Sequence, residues 1–397
     1  MNRPAEKRAD RPTYAAPTLI TDTETLAAVC ERLATEAFVT VDTEFMRERT
    51  YWPILCVVQL ASDTETIVLD AQAPGLDLAP LDALLANTSV VKVFHAARQD
   101  AEIFLHLFAR LPTPLFDTQI AAMVAGFGDQ VGYDQLVASL TGGQIDKAHR
   151  FSDWSARPLT PAQVTYAAAD VTYLRGVYRQ LRARLEREGR LDWVAEEMAV
   201  LTDPETFRPD PDSVWERLKP RTGNRRMLGV LRAAAAWRER EAQRIDIPRQ
   251  RLLKDESLLE LAAVAPRDAD SLSRIRGVGR GFAEGKSGPG LLAAIETALA
   301  LPDEALPDGK EKRDLKPSPA LVALLKVLLA AKSEQHQVAG RLLASSDDLD
   351  RIAAEDEPPI AALNGWRREV FGDDAQALKA GRISIGVAGK RIKLLRS

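Results

Sequence analysis

Four acids and one tyrosine carry the chemistry this chain of 397 residues could perform. The tripeptide Asp-Thr-Glu occurs three times, at Asp22–Glu24, Asp42–Glu44 and Asp63–Glu65. The first opens a helical pattern, where acids favour the positive end of the helix dipole. The third falls in a turn between two strand-like runs. Only the second lies inside an apolar strand pattern, Phe38-Val39-Thr40-Val41-Asp42-Thr43-Glu44-Phe45. Strand alternation puts Asp42 and Glu44 on one face, with Val41 and Phe45 on the other. Neighbouring anions repel, so a resident cation is one reason to place them there. A solvent-exposed polar face is the other, and this strand alone does not choose.

Two further acids shift the balance. Asp100 ends HAARQD, after the strand pattern VVKVF and at the opening of a helix with Ile103, Phe104 and Leu107 on its apolar face. Tyr166 and Asp170 stand four residues apart in YAAAD, on one face of a helix. The three alanines between them leave room for something to approach that helix closely. Together these side chains suit a hard divalent cation with oxygen ligands. Nothing in the chain offers a covalent nucleophile, so direct attack by water is the economical reaction.

The elements that must position these residues follow from periodicity. After a helix over TETLAAVCERLATEA comes the strand FVTVDTEF, then ILCVVQLAS and TIVLDA as a hairpin turning at Ser62–Thr64. Helices follow around 78–87, over AARQDAEIFLHLF and over DTQIAAMVAGF. One long helix is expected from PAQVTYAAADVTYL to LEREG, opened by Thr160 as cap and Pro161 in the first turn. Strands mixed with helices imply an α/β domain with a mixed sheet. From about 208 the strand signals stop and helical segments repeat weakly: RLLKDESLLELAA is echoed by RLLASSDDLDRIAA. The tail from Lys379 holds six basic residues and no acid, and is short enough to be disordered. Three domains are expected, over 15–200, 210–300 and 315–390.

Composition excludes several classes. Apolar residues make up 46% and charged residues 28%, which excludes bulk disorder and a collagen-like or disulfide-rich scaffold. Cys30 and Cys56 read as small buried hydrophobes, and four scattered histidines show no zinc cluster. The polar N-terminus has no apolar core of a secretory signal, and the apolar run 321–331 contains Lys326. These features predict a cytoplasmic protein without a membrane partner, and no amphipathic seam points away from a monomer. Gly277–Gly281 lacks a dinucleotide-binding spacing and Gly285-Lys286-Ser287 lacks the glycine a P-loop needs, so no nucleotide cofactor is expected. The net charge of −4 is an average over opposed regions. Residues 217–254 contain twelve Lys/Arg against three acids, an excess suited to a phosphate backbone.

VDTEF followed by Arg47, Arg49, Thr50 and Tyr51, then HAARQD, then DWSARPLTPAQVTYAAADVTYL resemble the three motifs of the DEDD 3′→5′ exonucleases. Order, spacing and the motif tyrosine match the ribonuclease D group, and the helical modules resemble HRDC domains. The resemblance implies an α/β ribonuclease-H-like exonuclease domain with a mixed β-sheet, followed by two all-α HRDC-like domains. It places metal ligands on Asp42, Glu44, Asp100 and Asp170, and a water-orienting tyrosine on Tyr166. It further implies two divalent metal ions (Mg2+ or Mn2+) roughly 3.5–4 Å apart, hydrolysis to nucleoside 5′-monophosphates, and RNA as partner, chiefly tRNA precursors with 3′ extensions. The alternatives are the same chemistry on DNA, or a non-catalytic nucleic-acid binder on this fold.

Further candidates are assigned to substrate. His95 faces either the terminal nucleotide or a hydrogen bond at its strand end. Lys147, His149, Arg150 and Arg157 lie in a loop that could touch phosphates, as could Arg221, Arg225 and Arg226 in the basic stretch. Asp117 in LFDTQ suits either the site or a cap on the following helix. Trp193, Trp215, Trp237 and Trp366 read as helix-packing anchors.

Overall fold

A computed structural model describes residues 16–220, 222–308 and 316–396; Arg221 lies outside them. The described residues fall into two compact units. Among them, one is drawn from 16–45, 55–203 and 316–396, the other from 46–54, 204–220 and 222–308.

The first unit is built on a six-stranded sheet of order β1-β4-β3-β2-β5-β6. Its strands are β1 Thr18–Ile20, β2 Phe38–Met46, β3 Ile54–Ala61, β4 Thr66–Asp70, β5 Val91–Phe94 and β6 Leu115–Asp117. β3 and β4 form the expected antiparallel hairpin, while β1–β4, β2–β5 and β5–β6 pair in parallel, so the sheet is mixed. The buried apolar runs of β3 and β4 belong to strands covered on both faces. β1 and β6, at three residues each, are too short for a periodic signal, and sequence reasoning missed them. The helices are α1 Thr23–Leu33, α2 Ala79–Ala86, α3 Arg98–Phe108, α4 Thr118–Val124, α5 Tyr133–Thr141, α6 Pro161–Thr172, α7 Leu174–Arg187 and α8 Leu191–Thr202.

α6 starts as its sequence dictates. Thr160 and Gln163 form a reciprocal capping box, with Pro161 in the first turn. The single long helix expected beyond it is two. Thr172 donates its hydroxyl to the Ala168 carbonyl at 2.6 Å, and the bond from Tyr173 N to Ala169 O stretches to 3.5 Å. Such side-chain competition for a backbone carbonyl bends helices.

The second unit carries α9 Arg225–Arg244, α10 Arg249–Leu252, α11 Asp255–Val264, α12 Ala269–Ser273, α13 Arg280–Ala283 and α14 Gly288–Ala300. Leu228, Leu231, Leu258, Leu261, Leu291 and Ile295 fill its core beside Trp215. Trp237 meets Phe282 edge-on at 6.2 Å. Gly279 caps α13 and Ser287 precedes α14, the interhelical positions expected of those stretches.

Residues from 316 onward return to the first unit. α15 Pro319–His336, α16 Gly340–Leu343 and α17 Ser346–Ala354 repeat the order of α9, α10 and α11, as the sequence echo predicts. α18 Gly365–Arg367, a π-turn over Arg368–Gly372 and α19 Asp373–Lys379 follow. Trp193 of α8 stacks on Trp366 with ring centroids 4.5 Å apart, the anchoring role expected of both. Arg367 pairs with Glu196 at 2.7 Å and also with Glu197. Gly126, at φ +80, lies so close to the Gln337 backbone that a Cβ there would meet its carbonyl oxygen at 2.4 Å.

The tail corrects the expectation of disorder. It forms an antiparallel hairpin, β7 Ile383–Ala388 and β8 Arg391–Arg396, which adds two strands to a region read as wholly helical. Ile383 is buried in the neighbouring helical core, and Ile385 and Leu394 pack against it. The alternation of Ile383, Ile385 and Val387 was the available signal. Among the described residues no helix is long and apolar enough to cross a membrane. Cys30 and Cys56 are both buried and form no disulfide, and burial pushes the Cys30 thiol up to about 12, leaving it inert.

Candidate active site

The site forms where β2 runs past the end of its neighbour. β2 pairs with β5 through Phe38–Thr40, so Asp42 and Glu44 extend beyond the paired segment at the carboxyl end of parallel strands. That is where open α/β sheets bind ligands. Thr40, Asp42 and Glu44 share one face. Thr40 is fully buried and donates its hydroxyl to the Val171 carbonyl at 2.8 Å. This bond ties α6 to β2 one residue after Asp170, and so sets Asp170 opposite Asp42 and Glu44. Carboxylate oxygens of Asp42, Glu44 and Asp170 all lie within 4.8 Å of one another. Ala167 and Ala168 are buried: the close approach their small side chains permit is that of the protein itself.

Asp100 comes from the third residue of α3 and is 6% exposed. Thr43, on the opposite face of β2 from Asp42, donates to its Oδ1 at 2.5 Å. The start of α3 is held by Asp117, whose carboxylate accepts the backbone N–H of Ala96 at 3.0 Å, of Ala97 at 2.9 Å and of Gln119 at 2.7 Å. Ala96 has a φ of 60°, a left-handed turn that a non-glycine residue adopts only when held. Asp117 therefore caps α4 and braces the bend that aims Asp100. Thr40 and Thr43 were missed as positioning residues, although both are strand neighbours of the acids.

Burial and mutual repulsion dominate the electrostatics. Burial pushes Asp42 well above the usual carboxylate range, and the charges of Asp100, Asp170 and Glu44 add to it. Glu44 is pushed up to about 8 by burial, then by Asp170 and Asp100. Burial raises Asp100 to about 7, against the opposing hydrogen bond from Thr43, and Asp170 to about 7. Three carboxyls within 4.8 Å, with the charge of Asp100 acting on Asp42 and Glu44, resist ionisation together and are a donor set suited to a hard divalent cation, whose charge would reverse that penalty. Tyr166 is also raised, by burial and then by the neighbouring acids, so its phenol keeps its proton at neutral pH. Its ring lies 6.1 Å from that of His149 and 6.0 Å from that of Trp154.

Two family models match the chain: a 3′-5′ exonuclease over residues 17–186 and an HRDC domain over residues 227–295. A ribonuclease D from Gluconacetobacter diazotrophicus is 69% identical over 387 residues, covering 97% of this chain and 98% of the relative. The chain belongs to the ribonuclease D family. It is a 3′→5′ exoribonuclease. A second ribonuclease D, from Granulibacter bethesdensis, is 67% identical over 390 residues, covering 98% and 99% of the two chains. The crystal structure of Escherichia coli RNase D, described as an exoribonuclease involved in structured RNA processing, superimposes with a TM-score of 0.77. It is 30% identical and covers 93% of this chain and 99% of its own. The mixed sheet followed by helical modules is the architecture expected of this family.

The remaining candidates spread apart. His95 bonds Thr118 Oγ1 through Nδ1 at 3.0 Å, packs its ring 5.4 Å from that of Tyr133, and is pushed below the usual range by burial, hence neutral. Lys147 pairs with Asp134 at 2.7 Å. Arg157 serves the scaffold. It grips Asp70 with two nitrogens, at 2.6 and 2.7 Å, and donates to the carbonyls of Cys56, Trp154 and Ala156. Arg225 and Arg226 tie down the end of the first helical module, on Leu306 O, Asp308, Leu301 O and Asp303. Phe151, unnoticed in the sequence, is 92% exposed with the Arg150 guanidinium 5.5 Å from its ring centroid. It sits in the same loop as His149 and Trp154, which flank Tyr166.

Proposed function

We propose that the protein trims the 3′ ends of tRNA precursors and other structured RNAs, releasing nucleoside 5′-monophosphates. Asp42, Glu44, Asp100 and Asp170 would hold two divalent ions, Mg2+ or Mn2+. The observation that carries this reading is the convergence of three carboxylates within 4.8 Å, each resisting ionisation. Divalent cations bound there supply the positive charge that stabilises a pentacoordinate phosphate and lower the pKa of an attacking water.

The chain's own residues orient the reaction. Tyr166 presents a protonated phenol one helical turn from Asp170, a donor that holds the attacking water or a phosphate oxygen in line. Thr43 fixes the rotamer of Asp100, and Thr40 fixes the height of Asp170 above the strand. His95 and Lys147 contact the terminal nucleotide and its phosphate in this reading. The exonuclease part over 15–200 does the chemistry, while the modules over 210–300 and 315–390 hold the body of the RNA. The protein works as a cytoplasmic monomer.

The test is incubation with a 3′-extended tRNA and Mg2+ or Mn2+. Stepwise shortening is expected, lost in Asp42→Asn. No shortening, or equal shortening by that variant, overturns the reading.

A further inference from the structure

We propose that the C-terminal β-hairpin is a contact surface for the phosphate backbone of RNA, resting on RNA as the substrate. Where basic residues are most numerous, part of the positive charge is masked. In the stretch 217–254 six arginines are paired with acids, while Arg217, Lys219, Arg232, Arg251 and Lys254 form no ion pair among the described residues. Arg238 pairs with Asp255, Arg240 with Asp212, Arg244 with Glu241 and Arg249 with Glu239. Arg225 and Arg226 hold Asp308 and Asp303.

On the hairpin none of the positive charge is masked. Arg382, Lys390, Arg391, Lys393 and Arg396 are all exposed. Among the described residues none of these five side chains has a hydrogen-bond or ion-pair partner, and no acidic side chain follows Asp374 in the sequence. Five uncompensated cations within fifteen residues are poorly placed for folding and well placed for a polyanion.

The register makes the face usable. Arg391 stands opposite Ala388 and Lys393 opposite Gly386. Small residues beside the long cationic side chains leave that face open to a nucleic-acid backbone. β8 also walls a groove of about 700 Å3, lined from both of its faces. Arg391, Lys393 and Arg396 line one side, and Gln335 and Gln337 the other. Lys332 in this groove is neutralised by Asp374, which leaves Glu334, among the described residues, as its one acid without an ion pair. The groove stays net positive. Exposed Val387 and Ile392 beside these cations would also suit an anionic lipid surface, so lipid enters the test as a competing outcome.

The test compares the full chain with a variant carrying Arg382→Gln, Lys390→Gln, Arg391→Gln, Lys393→Gln and Arg396→Gln. Binding of a 3′-extended tRNA is titrated in EDTA, which keeps the RNA whole, across several salt concentrations. The variant is expected to bind at least tenfold more weakly. Its log–log salt slope should shrink by roughly 2–3, at about 0.7 per phosphate contact on a single strand. kcat on a trinucleotide with Mg2+ should be unchanged; absence of that activity in the unaltered protein would instead count against the exonuclease reading. Unchanged tRNA affinity and slope overturn the proposal, as does loss of binding to phosphatidylserine vesicles with tRNA binding intact. Should the variant not fold, acetylation of the unaltered protein decides: tRNA should protect Lys390 and Lys393, and equal labelling with and without tRNA refutes the contact.

Discussion

Glu44→Gln should make the metal-free protein more stable, and by an amount that depends on pH. Glu44 is raised from 4.5 to about 8 in the folded state. Its folded-state pKa lies above the unfolded one, so the folded chain keeps a proton the unfolded chain has released. The favourable contribution is complete below pH 4.5 and is lost as pH rises through about 8. At about 1.4 kcal/mol per pKa unit, one carboxyl withholds roughly 5 kcal/mol from the folded state in alkaline solution. Coulomb's law gives a similar size: two charges 4.8 Å apart repel by roughly 3–4 kcal/mol at an effective dielectric constant of 20. A glutamine at this position has the same shape without the charge. Urea unfolding in EDTA should therefore find the variant more stable by roughly 3–5 kcal/mol at pH 9, with the gap closing at pH 4. Saturating Mg2+ should stabilise the parent more than the variant, since binding to the folded state alone adds stability. A gap that does not change with pH, or a variant less stable throughout, would refute the reasoning.

Other substitutions probe the parts separately. Tyr166→Phe removes the phenol at the acid cluster and should lower kcat on the order of 100-fold with little change in KM, measured by release of nucleoside monophosphate. Phe151→Ala should raise KM for single-stranded RNA several-fold and leave kcat nearly intact, since base–aromatic stacking is worth about 1–3 kcal/mol. Asp117→Ala removes an N-cap and the brace on Ala96 and Ala97; urea denaturation should show a loss of about 2–3 kcal/mol, with reduced turnover. Arg157→Ala leaves Asp70, with a side chain 10% exposed, without its partner, and should lower the urea midpoint. Arg157→Lys should rescue that loss poorly, because the grip is bidentate.

Much of the exonuclease domain was legible in one sequence because its signals are local. Alternation in β2, the hairpin around Ser62–Thr64 and the Thr160–Pro161 helix start each follow from a few neighbouring residues. The three-residue strands β1 and β6 were not legible, since pairing partners rather than pattern make them strands. The break at Tyr173 escaped because a helical sequence continues through it.

What the sequence determined by itself was the set of chemical groups: four acids, a tyrosine, and the faces that carry them. It could place Asp42 beside Glu44, and Tyr166 beside Asp170, because strand and helix periods are properties of the backbone. It could not bring those pairs together. Thr40 bonding Val171 spans 131 residues and Thr43 bonding Asp100 spans 57, distances at which no periodicity survives. Charge followed the same rule. Counting placed the free cations in 217–254, yet pairing is decided by which acids fold back onto them: among the described residues six arginines there meet acids, and none of the hairpin's five cations does.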